Sequence, residues 1–153
     1  MKGVEGAAMP LRVLLVEDSP GDVRLTQEAL HSTNNSIQLL VANDGVQAVT
    51  LLTRDGVYAH APRPDLILLD LNLPGMHGSD VLARIKKDAS LRMIPTIILT
   101  TSESEKDIAQ SYQLQANCYL SKPTQLDAFE RLVRSINDLW LTKAVLPAQR
   151  QDA

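Results

Sequence analysis

The chain has 153 residues, 44% of them hydrophobic and 3% aromatic, so at about 100–200 residues per domain it makes one domain with an aliphatic core. Its 15 Lys and Arg against 18 Asp and Glu leave a net charge of −3, which argues against a nucleic-acid groove built from clustered cations, and its single cysteine, Cys118, excludes an intrachain disulfide or a cysteine-based zinc cluster. Neither an apolar leader in the first ten residues nor an apolar run of about 18 residues is present, so a cytoplasmic protein without a membrane partner is expected.

Five short apolar runs alternate with longer amphipathic stretches. The first run, residues 11–16, stops at Glu17 and Asp18, and a helical stripe of Val23, Ala29 and Leu30 follows. The second run, 37–41, precedes a stripe of Val46, Val49 and Leu52, then a longer loop over 54–64 containing Gly56, Pro62 and Pro64. The third run, 66–71, stops near Asp70, and Pro74-Gly75 is turn chemistry before the stripe Val81, Leu82 and Ile85. The fourth run, 96–100, ends on Thr100. Ser102 and Glu105 then have capping-box spacing ahead of a weak stripe of Ile108, Ser111, Tyr112 and Gln115. The fifth run, 118–120, carries Cys118 as a small buried apolar residue and ends on Ser121 and Lys122. Thr124 and Asp127 repeat the capping spacing before the strongest stripe: Phe129, Leu132, Val133, Ile136 and Trp140.

Runs 13–16, 66–69 and 97–99 are apolar without alternation, as strands covered on both faces require. Strand–helix alternation throughout predicts an α/β fold, a doubly wound five-stranded parallel sheet with right-handed crossovers. Residues 11–143 form the domain, and 1–10 and 144–153 read as flexible ends.

In such sheets ligands bind outside the carboxyl ends of the strands, where this chain gathers Glu17, Asp18, Asp70, Thr100 and Lys122. Each alone has a plainer explanation: a turn or cap for the acids, a strand end for Thr100, a solvated amine for Lys122. Together, at matching ends of four runs, they describe a site. Three carboxylates held together repel one another unless a hard divalent cation, of which Mg²⁺ is the natural choice, takes oxygen ligands there. One carboxylate then remains to attack phosphorus, and Asp70, ending the most apolar run, is the candidate. Lys122 would neutralise the transferring group and Thr100 would bond a phosphoryl oxygen.

The segments VLLVEDSPGD, DLILLDLNLPGMHGSDVLARIK, IPTIILTTS and CYLSKP resemble, in order and spacing, the receiver domain of two-component response regulators. The resemblance covers about residues 12–140 and implies the flavodoxin-like strand order 2-1-3-4-5. It also implies that Asp70 is the phosphoacceptor, that Asp18, Asp70 and the backbone carbonyl of Asn72 ligate Mg²⁺, and that Glu17 acts through a coordinated water. Lys122 matches the family's lysine, Pro123 would follow a cis peptide bond, and Thr100 and Tyr119 match the hydroxyl and aromatic switch pair. The opening LLVEDSPGDVRLTQEAL, the loop 54–64 and the segment beyond Trp140 are similar to small single-domain regulators paired with cyanobacterial phytochromes. That subgroup implies a light-regulated sensor histidine kinase as partner and a homodimer, for which Trp140 is a candidate anchor unless it folds back on the first helix.

The function expected is therefore that of a phosphoaccepting signalling module rather than a turnover enzyme, with output through protein–protein binding because no effector module fits after Lys122. The alternative is a relay intermediate or phosphate sink handing its phosphoryl group onward. An aspartyl-phosphate hydrolase is disfavoured because Asn72 stands where a second acid is needed. A flavin or nucleotide binder is disfavoured because no glycine-rich loop follows the first run.

Overall fold

The computed structural model describes residues 10–33 and 36–147. Five strands, β1 (Arg12–Val16), β2 (Gln38–Ala42), β3 (Leu66–Leu69), β4 (Thr96–Thr100) and β5 (Cys118–Ser121), pair in parallel in the order β2-β1-β3-β4-β5. Successive strand side chains point to opposite faces, and both faces are buried. Leu14, Val16, Ile67, Leu69 and Ile98 enter one core, beneath α2 (Gly45–Leu52) and α3 (Gly78–Lys87). Val13, Leu15, Leu66, Leu68, Ile97 and Leu99 enter the other, beneath α1 (Pro20–Thr33) and α5 (Leu126–Asp138). The fully apolar β3 is thus the centre of a sandwich of helices, the reason its sequence does not alternate.

The remaining helix, α4 (Glu105–Gln113), buries only Ser111. An element with so little apolar anchorage opens at lower free-energy cost than its neighbours.

Local details differ from the sequence expectation where packing decides. On α2 the buried residues are Gly45, Ala48, Leu51 and Leu52, while Val46 is exposed. Asp44 caps this helix by accepting from the Gln47 amide at 2.7 Å, and the small Gly45 lets the helix close onto Met76 and Val81. Helix α4 is capped by Ser104, which accepts from the Asp107 amide at 3.2 Å. Ser102 instead donates to the Asp107 carboxylate at 2.6 Å, so the expected Ser102–Glu105 box is not formed. At α5 the cap position is Gln125 and carries no side-chain cap bond, so Thr124–Asp127 is not a box either. Cys118 is half-buried rather than fully buried. The loop over 54–64 holds one 3₁₀ turn, Gly56–Tyr58, tied to α2 by the Gln47 side-chain Nε2 donating to Tyr58 Oη at 2.8 Å.

Beyond α5 the chain widens into a π-type turn, Leu139–Lys143. Trp140 lies there half-buried against the α1–α5 core, beside the buried Leu141. Of the two ends expected to be flexible, residues 1–9 and 148–153 lie outside the described residues.

The loop from β3 to α3 is closed by a backbone approach that only glycine permits. Gly78 donates its amide to the Leu71 carbonyl at 2.9 Å, and a Cβ there would stand 2.2 Å from the Asp70 carbonyl oxygen and 2.6 Å from Leu71 Cα. Both obstacles are backbone and cannot swing aside. Gly78→Ala is expected to lower unfolding stability by about 2–3 kcal/mol, measured by urea denaturation; an unchanged midpoint would contradict this close approach.

Candidate functional site

Sheet register assembles the site. Val16 pairs with Leu69, so the next residues, Glu17 and Asp70, leave adjacent central strands side by side. Asp70 donates its amide to the Val16 carbonyl at 3.1 Å and Glu17 donates its own to Ala42 at 2.9 Å, which carries the ladder one residue past the strands. On the far side, Thr100 pairs with Ser121, and the Lys122 amide donates to the Thr100 carbonyl at 2.7 Å. Four strand ends therefore deliver Glu17, Asp70, Thr100 and Lys122 to one edge of the sheet.

The Lys122 ammonium lies at the centre. It donates to Glu17 Oε1, to Asp22 Oδ2 at 2.9 Å and to Asp70 Oδ2 at 3.1 Å. Lys122 is 8% exposed, Glu17 3% and Asp70 6%, so these charges interact with little screening. The second oxygen of Asp70 accepts from the Asn72 amide at 3.1 Å, and the second of Glu17 accepts from the Ser19 amide at 3.1 Å. Burial opposes the charged form of Lys122, yet its bonds to Glu17 and Asp22 and the charge of Asp70 outweigh this and raise its pKa. Glu17 is pushed up to about 7, by burial first and by the charge of Asp70, against the pull of Lys122.

Asp18 is exposed beside this pair, and carboxylate oxygens of Glu17, Asp18 and Asp70 all lie within 4.8 Å of one another. An all-oxygen donor set with excess negative charge fits a hard divalent cation such as Mg²⁺. Glu17 has both oxygens engaged by Lys122 and Ser19. Asp18 is the one with an exposed carboxylate to offer directly.

Thr100 is fully buried, and its hydroxyl meets the Asn72 side-chain amide at 3.5 Å, the long limit of a hydrogen bond. Tyr119, half-buried on β5, donates its phenolic hydrogen to the Ser102 carbonyl at 2.9 Å, two residues beyond Thr100. The Lys122–Pro123 peptide bond is trans, against the cis bond that the family resemblance implied. Trans is the intrinsically favoured isomer of an X–Pro bond, by about 0.5–1 kcal/mol, and in it Lys122 reaches all three carboxylates.

Asp22 is a site residue that sequence reasoning missed. Its signal, an acid three residues after Ser19 at the start of α1, reads as a helix cap. Only the packing of α1 beside the β5–α5 loop brings it to Lys122.

A doubly wound sheet with a buried lysine among carboxylates at its carboxyl edge is the architecture of a phosphotransfer receiver. Residues 13–134 match the family model of the response regulator receiver domain, and the chain belongs to that family. It is 45% identical to response regulator Rcp1 of Synechocystis over 139 residues, 91% of this chain and 95% of Rcp1. Among solved structures it is similar to the phosphorylated cyanobacterial phytochrome response regulator RcpA, with a TM-score of 0.89 and 45% identity over 91% of this chain and 99% of RcpA. The Mn²⁺-bound form of Rcp1 matches with a TM-score of 0.88 and 45% identity, over 91% of this chain and all of Rcp1.

Because a cation binding only the folded state stabilises by mass action, Mg²⁺ should raise the thermal midpoint continuously with the logarithm of its concentration. The gain is about 2.7 kcal/mol at a hundredfold excess over Kd. Calorimetry on Asp18→Asn should show most of this increment gone.

Proposed function

We propose that this receiver accepts a phosphoryl group from a phytochrome-type sensor histidine kinase onto Asp70 and signals through protein–protein contacts. The observation that carries the reading is the placement of Asp70: buried at the end of the central strand, 3.1 Å from a buried ammonium, in reach of two further carboxylates. The likeness to regulators described as phytochrome response regulators supports the choice of kinase.

In the transfer an Asp70 carboxylate oxygen attacks phosphorus of the donor's phosphohistidine. The new O–P bond forms as the P–N bond breaks, and the electron pair stays on the imidazole nitrogen. Lys122 offsets charge on the transferring oxygens, and Thr100, once turned from Asn72, donates its hydroxyl to one of them. Asp18, Asp70 and the Asn72 carbonyl would hold a divalent cation, with Glu17 acting through a coordinated water, and that cation would supply positive charge beside the acceptor. The product carries about two negative charges where one stood. That change biases the Thr100–Tyr119 pair and the lightly anchored α4. Self-catalysed transfer from small donors and slow self-dephosphorylation belong to the same reading, as does a cytoplasmic setting shared with the kinase domain.

With Mg²⁺ and acetyl phosphate, intact mass should show one added phosphoryl group, lost in Asp70→Asn and on chelation. Labelling that persists in Asp70→Asn would overturn the assignment. A homodimer is part of the proposal, supported by Leu126 and Leu139, which lie 58% and 54% exposed along α5 and its extension. Size exclusion with light scattering should report twice the monomer mass at tens of micromolar; a monomer in both phosphorylation states removes the dimer and leaves phosphoacceptance standing.

A further inference from the structure

The Lys122 ammonium has three N–H donors, and all three are taken, by Glu17, Asp22 and Asp70. A phosphoryl group on Asp70 takes over the N–H now given to Asp70 Oδ2, and its further anionic oxygens compete for a second, which Glu17 or Asp22 must surrender. We propose that Asp22 is the positioning residue that gives way: it holds Lys122 in the resting state and releases it when Asp70 is phosphorylated. This rests on Asp70 being the phosphoacceptor.

The three partners are not equivalent. Glu17 has a side chain 4% exposed, and losing its cation would strand a buried carboxylate, which is costly. Asp70 passes its N–H to the phosphoryl group it bears, so the choice lies between Glu17 and Asp22. Asp22 has a side chain 34% exposed, so water replaces the ammonium at small cost. Asp22 also borders a cavity of about 320 Å³ shared with Leu25, Thr101, Lys122 and Phe129, which gives its carboxylate room to swing away.

Local structure shows that Asp22 is not spent on capping α1. The Ser19 hydroxyl accepts from the Asp22 amide at 3.3 Å, as an N-cap does. In a reciprocal capping box the Asp22 carboxylate would accept the Ser19 amide in return. That amide is bonded to Glu17 Oε2 instead, and the Asp22 carboxylate reaches across to Lys122. Helix α1 is thereby tied to the β5–α5 junction through a bond confined to the resting state.

Beryllofluoride with Mg²⁺, a phosphoryl mimic that binds an aspartate carboxylate, tests this in the full chain. Asp22→Asn is expected to tighten beryllofluoride binding by about 1.5- to 5-fold, the range of one partly exposed ion pair, with Asp22→Glu near wild type. It should lower the urea midpoint of the untreated protein and leave that of the beryllofluoride complex unchanged. A purely structural role for Asp22 lowers both midpoints together with affinity unchanged or weakened, and that result overturns the inference. Wild-type protein that binds no beryllofluoride overturns the phosphoacceptor reading instead.

Discussion

One buried ammonium organises this molecule. Taking a lysine out of water costs several kcal/mol unless its hydrogens find acceptors, and Lys122 finds three carboxylates contributed by the β1 end, the first turn of α1 and the β3 end. Those partners are 105, 100 and 52 residues away in sequence. Satisfying the ammonium therefore presupposes the full sheet order and the packing of α1 beside α5. Buried ion pairs of this kind are poor devices for stability, because apolar residues of like volume often do as well. Their presence at the carboxyl edge of the sheet is better explained by what they do to incoming charge.

The site is overcharged in the negative sense. Three carboxylates, Glu17, Asp22 and Asp70, surround one ammonium and a fourth, Asp18, stands beside Glu17 and Asp70; Glu17 has its pKa raised to about 7, as burial first and then Asp70 resist its ionisation. A divalent cation relieves that excess. The same reasoning connects the site to its surroundings. The Thr100 hydroxyl leans on Asn72, Tyr119 is tied to Ser102, and Ser102 is tied to Asp107 at the start of α4. Each link in this chain is a single bond and α4 itself buries only Ser111, so a change of charge at Asp70 acts on an element that moves at little cost.

Much of this was legible in the chain because two patterns are strong and local. Unbroken aliphatic runs such as 66–69 identify strands buried on both faces, and acids or hydroxyls that terminate those runs identify the ligand edge. Where the reading erred, several residue types competed for one job. Ser102 and Ser104 both stand within capping reach of α4, and Ser104 takes the cap while Ser102 bonds the Asp107 side chain. On α2 a stripe of valines looked like the core face, yet the tight approach of Gly45 to Met76 and Val81 turns Val46 outward.

Sequence alone determined the fold class, the strand-end positions of Glu17, Asp18, Asp70, Thr100 and Lys122, and the negative excess that calls for a cation. These follow from hydrophobic periodicity and residue chemistry, which are properties of neighbours along the chain. Tertiary structure alone decided that Lys122 is shared among three carboxylates, that Asp22 is one of them and that Trp140 leans on the α1–α5 core. Those outcomes depend on how helices seat against the sheet. A carboxylate at the start of α1 can serve its own helix or a distant ammonium equally well until packing brings the two within 2.9 Å.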